Sequence, residues 1–115
     1  MGLIVSLYAK YLTERTNDRI LEINHGFATY RMLPDQKAVY IIDVFVEADF
    51  RRAGTASQLG DEIVKIAKKE GCTKLLGSVV PSLKNSTDSV KFLISYGMKI
   101  QSASPDFIVF EKEIV

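Results

Sequence analysis

IIDVFVEADFRRAGTASQLGDEIVKIAKKEG, residues 41–71, is the stretch whose reading decides the fold. It opens on β-branched and aromatic residues interrupted by Asp43, the signature of a buried strand. From Gly54 the apolar period lengthens to that of a helix. Leu59, Ile63, Ile66 and Ala67 fall on one face, and Asp61, Glu62, Lys65, Lys68 and Lys69 on the other. Lys68 and Lys69 complement the negative end of the helix dipole, and Gly71 supplies the stop. Between strand and helix lies Arg51-Arg52-Ala53-Gly54-Thr55-Ala56. A strand running through a short glycine-containing loop into a helix N-terminus aims several backbone N–H groups at one point, as the binding of a phosphate group requires.

Working outward, Cys72–Val80 reads as the next strand. Strand, helix, strand implies a parallel pair joined by a right-handed crossover. Upstream, Ala38–Val46 is nearly continuous in apolar residues, which predicts a strand covered on both faces. Arg19–Ile23 alternates, Asn24-His25-Gly26 offers turn chemistry, and FATYRML follows, so these runs predict a hairpin. Pro34-Asp35-Gln36 makes the turn into the third strand. Leu3, Ile4, Leu7, Tyr8, Tyr11 and Leu12 recur at helical spacing and predict an amphipathic helix over residues 3–14.

Downstream, Pro81 opens a loop, and Asn85 or Ser86 can cap a helix running to Tyr96, with Asp88 in its first turn. Val90, Leu93 and Ile94 mark its expected buried side, and Gly97 ends it. Residues 98–104 and 107–114 then form a closing antiparallel hairpin about Ser104-Pro105-Asp106. The expected fold is α/β (α+β in some schemes). It is a single domain over residues 1–115 in the order αβββαβαββ, on one twisted, mixed, mostly antiparallel sheet with a central parallel pair.

Composition bounds the function. With 47% apolar residues the chain can build a core, and its 15 basic and 14 acidic side chains leave a formal charge of +1. That balance gives no support for a nucleic-acid partner, which ordinarily shows as a clustered basic excess. Cys72 is alone, so an internal disulfide is excluded, a cysteine-based metal site is not expected, and a reducing, cytoplasmic setting fits. No apolar run approaches the roughly 20 residues a membrane-spanning helix needs, and no basic region suggests a secretory signal. Met1-Gly2 with Ser6 and Asn85-Ser86-Thr87 match lipidation and glycosylation patterns, without other features in their support.

Arg51-x-x-Gly54-x-Ala56 resembles the Q/R-x-x-G-x-G/A signature of the GNAT acyltransferase superfamily. The surroundings agree, with an apolar strand before it and a helix, a strand and a second helix after it. FLISYGMKI resembles that family's second helix ending in a Gly-aromatic pair, with Met98 in the aromatic's place. The resemblance covers Ala38 onward. It implies an acetyl-CoA or other acyl-CoA co-substrate, no metal, and a small-molecule or protein amine as acceptor. The pantetheine arm would pair with Val44, Phe45 and Val46. The pyrophosphate would lie on the backbone from Arg52 through Ala53, Gly54, Thr55 and Ala56 to Ser57, with charge from Arg51 or Arg52 and a further contact from Asn85. The amine would attack the thioester carbonyl, whose oxyanion would be held by a backbone N–H near Val46.

Asp43 stands out as a carboxylate in an apolar strand; it is a candidate water-mediated base, or a structural partner of an arginine such as Arg31. The family's general-acid tyrosine would fall on Leu93, which has no proton to give. Ser89 and Tyr96 are nearby candidates, Tyr96 more naturally a packing residue, and water can also protonate a thiolate. His25 reads as a turn residue and Cys72 as a small buried apolar group. Tyr8 and Tyr11 belong to the core or to an acceptor groove. Members of the family usually carry an extra strand and a second helix before the third strand. This chain has room for one helix there, so the acceptor side is left open or completed by a second subunit. The alternative function is a CoA-binding or interaction module that has lost turnover.

Overall fold

The expected order of elements is the observed one. The computed structural model describes residues 6–51, 54–84 and 86–114. Its elements are α1 (Leu7–Arg15), β1 (Asp18–Ile23), β2 (Gly26–Leu33), β3 (Ala38–Val46), α2 (Thr55–Lys69), β4 (Lys74–Val79), α3 (Ser86–Ser95), β5 (Lys99–Ala103) and β6 (Ile108–Glu113). Short 3-10 turns occupy Pro34–Gln36 and Ala48–Phe50. The six strands form one sheet in the order β1-β2-β3-β4-β6-β5. Among the described residues only the β3–β4 pair is parallel. The closing hairpin enters this sheet with β6 against β4, leaving β5 at the edge.

One irregularity shapes everything near the site. Opposite β2, Thr29 pairs with Asp43 but Tyr30 pairs with Ile41, so Ile42 is the extra residue of a β-bulge. The parallel pairing runs from Ala38↔Lys74 to Ile41↔Gly77 and stops at that bulge. Beyond it β3 continues alongside β2 to Val46, and β4 continues alongside β6 to Val79. The two central strands part.

Helices α2 and α3 lie on the same face. A Cβ on Gly60 of α2 would stand 2.9 Å from the Tyr96 ring just beyond α3. Beneath them Leu59, Ile63, Val39, Leu75 and Phe110 are fully buried. This agrees with the helical stripe read from residues 59–67, with Ile66 packed at its margin. Helix α1 lies on the opposite face. Its cap residue Ser6 accepts from the Ala9 amide (3.0 Å) and donates to Glu22 on β1 (2.6 Å). Glu22 alternates with Leu21 and Ile23, which point into the α2 core.

Three expectations need correction. Helix α1 runs Leu7–Arg15, and Leu3 and Ile4 lie outside the described residues. Its apolar stripe is not buried: Leu7 is 84% exposed, Tyr8 and Tyr11 each 54%, and Ala9 alone among its described residues is buried. The helix rests mainly on β1, an edge strand too narrow to cover a full helical face. Ile94 is also exposed, at 56%, because α3 turns Val90 and Leu93 to the core and Ile94 falls beyond that contact. Finally, β3 is covered on both faces only at its start. Ala38 and Val39 are fully buried, whereas Asp43, Val44 and Phe45 are exposed where the bulge carries the strand away from β4.

Candidate functional site

The parting of β3 and β4 leaves backbone groups of residues 42–46 on the β4 side without a strand partner. At the mouth of this opening the chain turns through Ala48–Phe50 and enters α2. Gly54 caps that helix in the left-handed region (φ 84°) and, among the described residues, no side-chain cap bonds its first-turn amides. The first bond of the helix runs from the Gln58 amide to the Gly54 carbonyl (3.0 Å). The N–H groups before it therefore have no intrahelical acceptor and carry the positive end of the dipole. A cleft of about 220 Å³ opens here, lined by Val46, Phe50, Arg51 and Gly54–Ser57, with Phe92 from α3. Among the described residues, leaving aside its chain neighbours and its own helix backbone, nothing stands within 4 Å of the position a Cβ on Gly54 would take.

The charged and hydroxyl groups around the cleft are organised. Arg51 donates from Nε to the Val46 carbonyl (2.9 Å) and its guanidinium carbon lies 5.9 Å from the Phe45 ring centroid. It thereby ties the loop back to the strand end. The Thr55 hydroxyl reaches the Phe50 carbonyl at 3.4 Å. Phe50 itself is stacked on His25 (centroids 3.4 Å, 5° between planes), and the Glu47 amide donates to the His25 carbonyl (2.8 Å). The β1–β2 turn thus braces the loop. His25, read as a turn residue, has that supporting part.

Of the residues expected to meet a cofactor, Val46, Arg51, Gly54, Thr55, Ala56 and Ser57 come together around the cleft. Val44 and Phe45 lie on the open strand just before it. Arg52, Ala53 and Asn85 lie outside the described residues. Asp43 is exposed, with no hydrogen-bond or ion-pair partner among the described residues, on the face opposite α2. The arginine considered for it is engaged elsewhere: Arg31 donates from Nε to Asp18 (2.6 Å). Directly across from Asp43, Thr29 is buried and its hydroxyl has no hydrogen-bond partner among the described residues.

On the helix side of the opening stands Leu93, its methyl 3.6 Å from where a Gly77 Cβ would be. Ser89 is exposed on α3. The Tyr96 hydroxyl donates to Asp61 on α2 (2.7 Å), and burial together with that bond pushes its ionisation well above the ordinary tyrosine range. It sits outside the residues lining the cleft. Cys72 is buried, which raises its thiol, as a packing residue requires. Sequence reading overlooked Tyr40 and Ser78. Their hydroxyls are hydrogen-bonded to each other from β3 to β4, at the place where those strands separate. They lie 38 positions apart, and only the sheet register joins them.

A mixed sheet thus opens between two parallel strands, with a helix N-terminus at the mouth of the opening. The acetyltransferase (GNAT) family model matches residues 15–92, more than half of the chain, and the chain belongs to that family. No curated sequence is similar enough to count as a relative. Solved structures of the same fold include the PaiA N-acetyltransferase of Thermoplasma acidophilum in complex with coenzyme A, at 15% identity and TM-score 0.74. They also include an aminoglycoside 6'-N-acetyltransferase complexed with coenzyme A (14%, 0.73) and an acetyltransferase from Bacillus cereus (22%, 0.69). The alignments cover 88%, 89% and 84% of this chain and 64%, 76% and 72% of those chains, respectively.

Proposed function

We propose that the chain is a single acyltransferase domain that moves an acetyl or other acyl group from coenzyme A to an amine. The observation that carries this reading is the cleft where β3 and β4 part, with the amides before Gln58 facing it and left-handed Gly54 exposing backbone at its mouth. Phosphates would sit on those amides beside Arg51 and Ser57. The unpaired edge of residues 42–46 would receive the amides of the pantetheine arm. The acceptor nitrogen attacks the thioester carbonyl carbon, a backbone N–H near Val46 takes the oxyanion, and the C–S bond breaks. Asp43, exposed and without a partner among the described residues, would accept the amine's proton through water. The proposed step uses no metal.

Leu93 favours a second reading, a module that binds coenzyme A without turnover. The residue at the acid position is aliphatic and packed towards Gly77. The exposed Tyr8 and Tyr11 on α1 fit an acceptor side completed by a second copy. A reducing cytoplasm suits a chain with one buried thiol.

Acetyl-CoA at roughly 100 times its dissociation constant is expected to stabilise the fold by about 2.7 kcal/mol, read as a rise in Tm. No rise overturns both readings. A rise with thiol release over a panel of amines supports the enzyme; a rise without release on any amine supports the module. Size-exclusion chromatography with light scattering checks for the second copy.

A further inference from the structure

We infer that the Tyr40 phenol, held in place by Ser78, protonates the departing thiolate, the part Leu93 cannot play. This rests on the acyltransferase reading above. Tyr40 pairs in register with Leu76, yet its hydroxyl is bonded to Ser78, two residues further along β4. The ring therefore leans across the strand pair toward its open end. Both residues are half-buried, and they project on the face away from α2 and α3, where Asp43 also projects. The last parallel pair, Ile41↔Gly77, lies one residue beyond Tyr40. The hydroxyl pair thus stands at the apex of the opening.

The phosphate end of the cleft begins at Val46, five residues from Ile41, or roughly 17 Å of strand. A ligand anchored at the mouth and lying along the free edge of β3 brings its far end to the apex. There a thioester meets Leu93 beside Gly77 on one side and the two hydroxyls on the other. Only the second side has a proton to give. As the amine nitrogen bonds to the carbonyl carbon and the tetrahedral adduct collapses, the C–S electron pair moves to sulfur and sulfur takes the Tyr40 proton. Ser78 donates a hydrogen bond to the phenolate oxygen as that proton leaves. The phenolate is reprotonated from the proton the amine released, by way of solvent. No oxidant or further reactant is involved.

The test uses coenzyme A itself. Its thiol ionisation when bound is followed by thiolate absorbance, with S-methyl-coenzyme A as the reference. Donation by Tyr40 lowers the bound thiol's pKa below that of free coenzyme A. Tyr40→Phe is expected to return it to the free value with the coenzyme A thermal shift retained, and Ser78→Ala to shift it part of the way. Tyr40→Phe is also expected to lower kcat by roughly 100- to 10,000-fold, with KM for acetyl-CoA unchanged. A bound thiol that titrates alike in the wild type and Tyr40→Phe overturns the proposal while leaving the acyltransferase reading intact. Failure of the wild type to bind coenzyme A removes both. A purely structural bridge would change stability and leave the thiol titration unmoved.

Discussion

Gly54 sits at φ 84° with open space where its side chain would be. An L-residue there carries a left-handed penalty of about 1–2 kcal/mol. Gly54→Ala is therefore expected to lower stability by that order in urea unfolding and to shrink the acetyl-CoA thermal shift, since the new methyl projects into the cleft. A full-sized shift would remove the backbone cradle from the assignment. Thr29 poses the reverse case. Its buried hydroxyl lacks a partner among the described residues, so Thr29→Val, which keeps the branched shape, is expected to raise stability by about 1 kcal/mol; a loss in the same assay would reveal a partner for that hydroxyl. Tyr96 gives a pH signature. Its folded pKa is raised, so its contribution is fully present below the unfolded value of about 10 and is lost as pH rises through the higher folded value. Tyr96→Phe should lessen that alkaline decline in stability, and in the wild type two of the five tyrosines, Tyr30 and Tyr96, should resist ionisation. Gly54 and Asp43 were legible in the sequence because each breaks a local pattern. Tyr40 and Ser78 were not, because each is ordinary where it stands and the pair exists only through parallel register.

Among the elements, α2 and α3 meet at a glycine. Gly60→Ala gains about 1 kcal/mol of helix propensity, but its methyl would lie 2.9 Å from the Tyr96 Cζ, and the tip of that ring is tied to Asp61. Overpacking of this kind costs about 1–3 kcal/mol. The substitution is expected to destabilise on balance in urea unfolding, and Tyr96→Leu in the same chain should recover the loss. Stabilisation by Gly60→Ala alone would show that the ring moves freely. The long periodic run of α2 was readable because its stripe faces the middle of the sheet. The stripe of α1 was just as regular and misled, because that helix lies at a sheet edge that covers little more than Ala9. The strand β3 misled for another reason. Its apolar run implied two covered faces, and a bulge at one residue opened the second half.

For the molecule as a whole, the Arg19–Glu70 ion pair fastens β1 to the end of α2. The Arg19 hydrogen bond holds the Glu70 carboxyl below its ordinary range. Its contribution is present above the unfolded value near 4.3 and disappears as pH falls through the lower folded value. Both partners are about 40% exposed, so the contribution is less than about 1 kcal/mol. Glu70→Gln should cost that much at neutral pH and nothing at pH 2, measured by urea unfolding; an equal cost at both would show that charge is not the cause. The family followed from one loop read in its context. The place of the last strand did not, since nothing in residues 98–114 says which of the two inserts beside β4. That insertion has a kinetic meaning. β5 leaves α3 with no strand to lie against, because the neighbour of β4 is β6, which comes later in the chain. The β1–β2–β3 meander can zip up by short loops, whereas the other half of the sheet must wait for one long-range closure. Residues 108–113 are thus the keystone of assembly, and a chain lacking them forfeits two strands together.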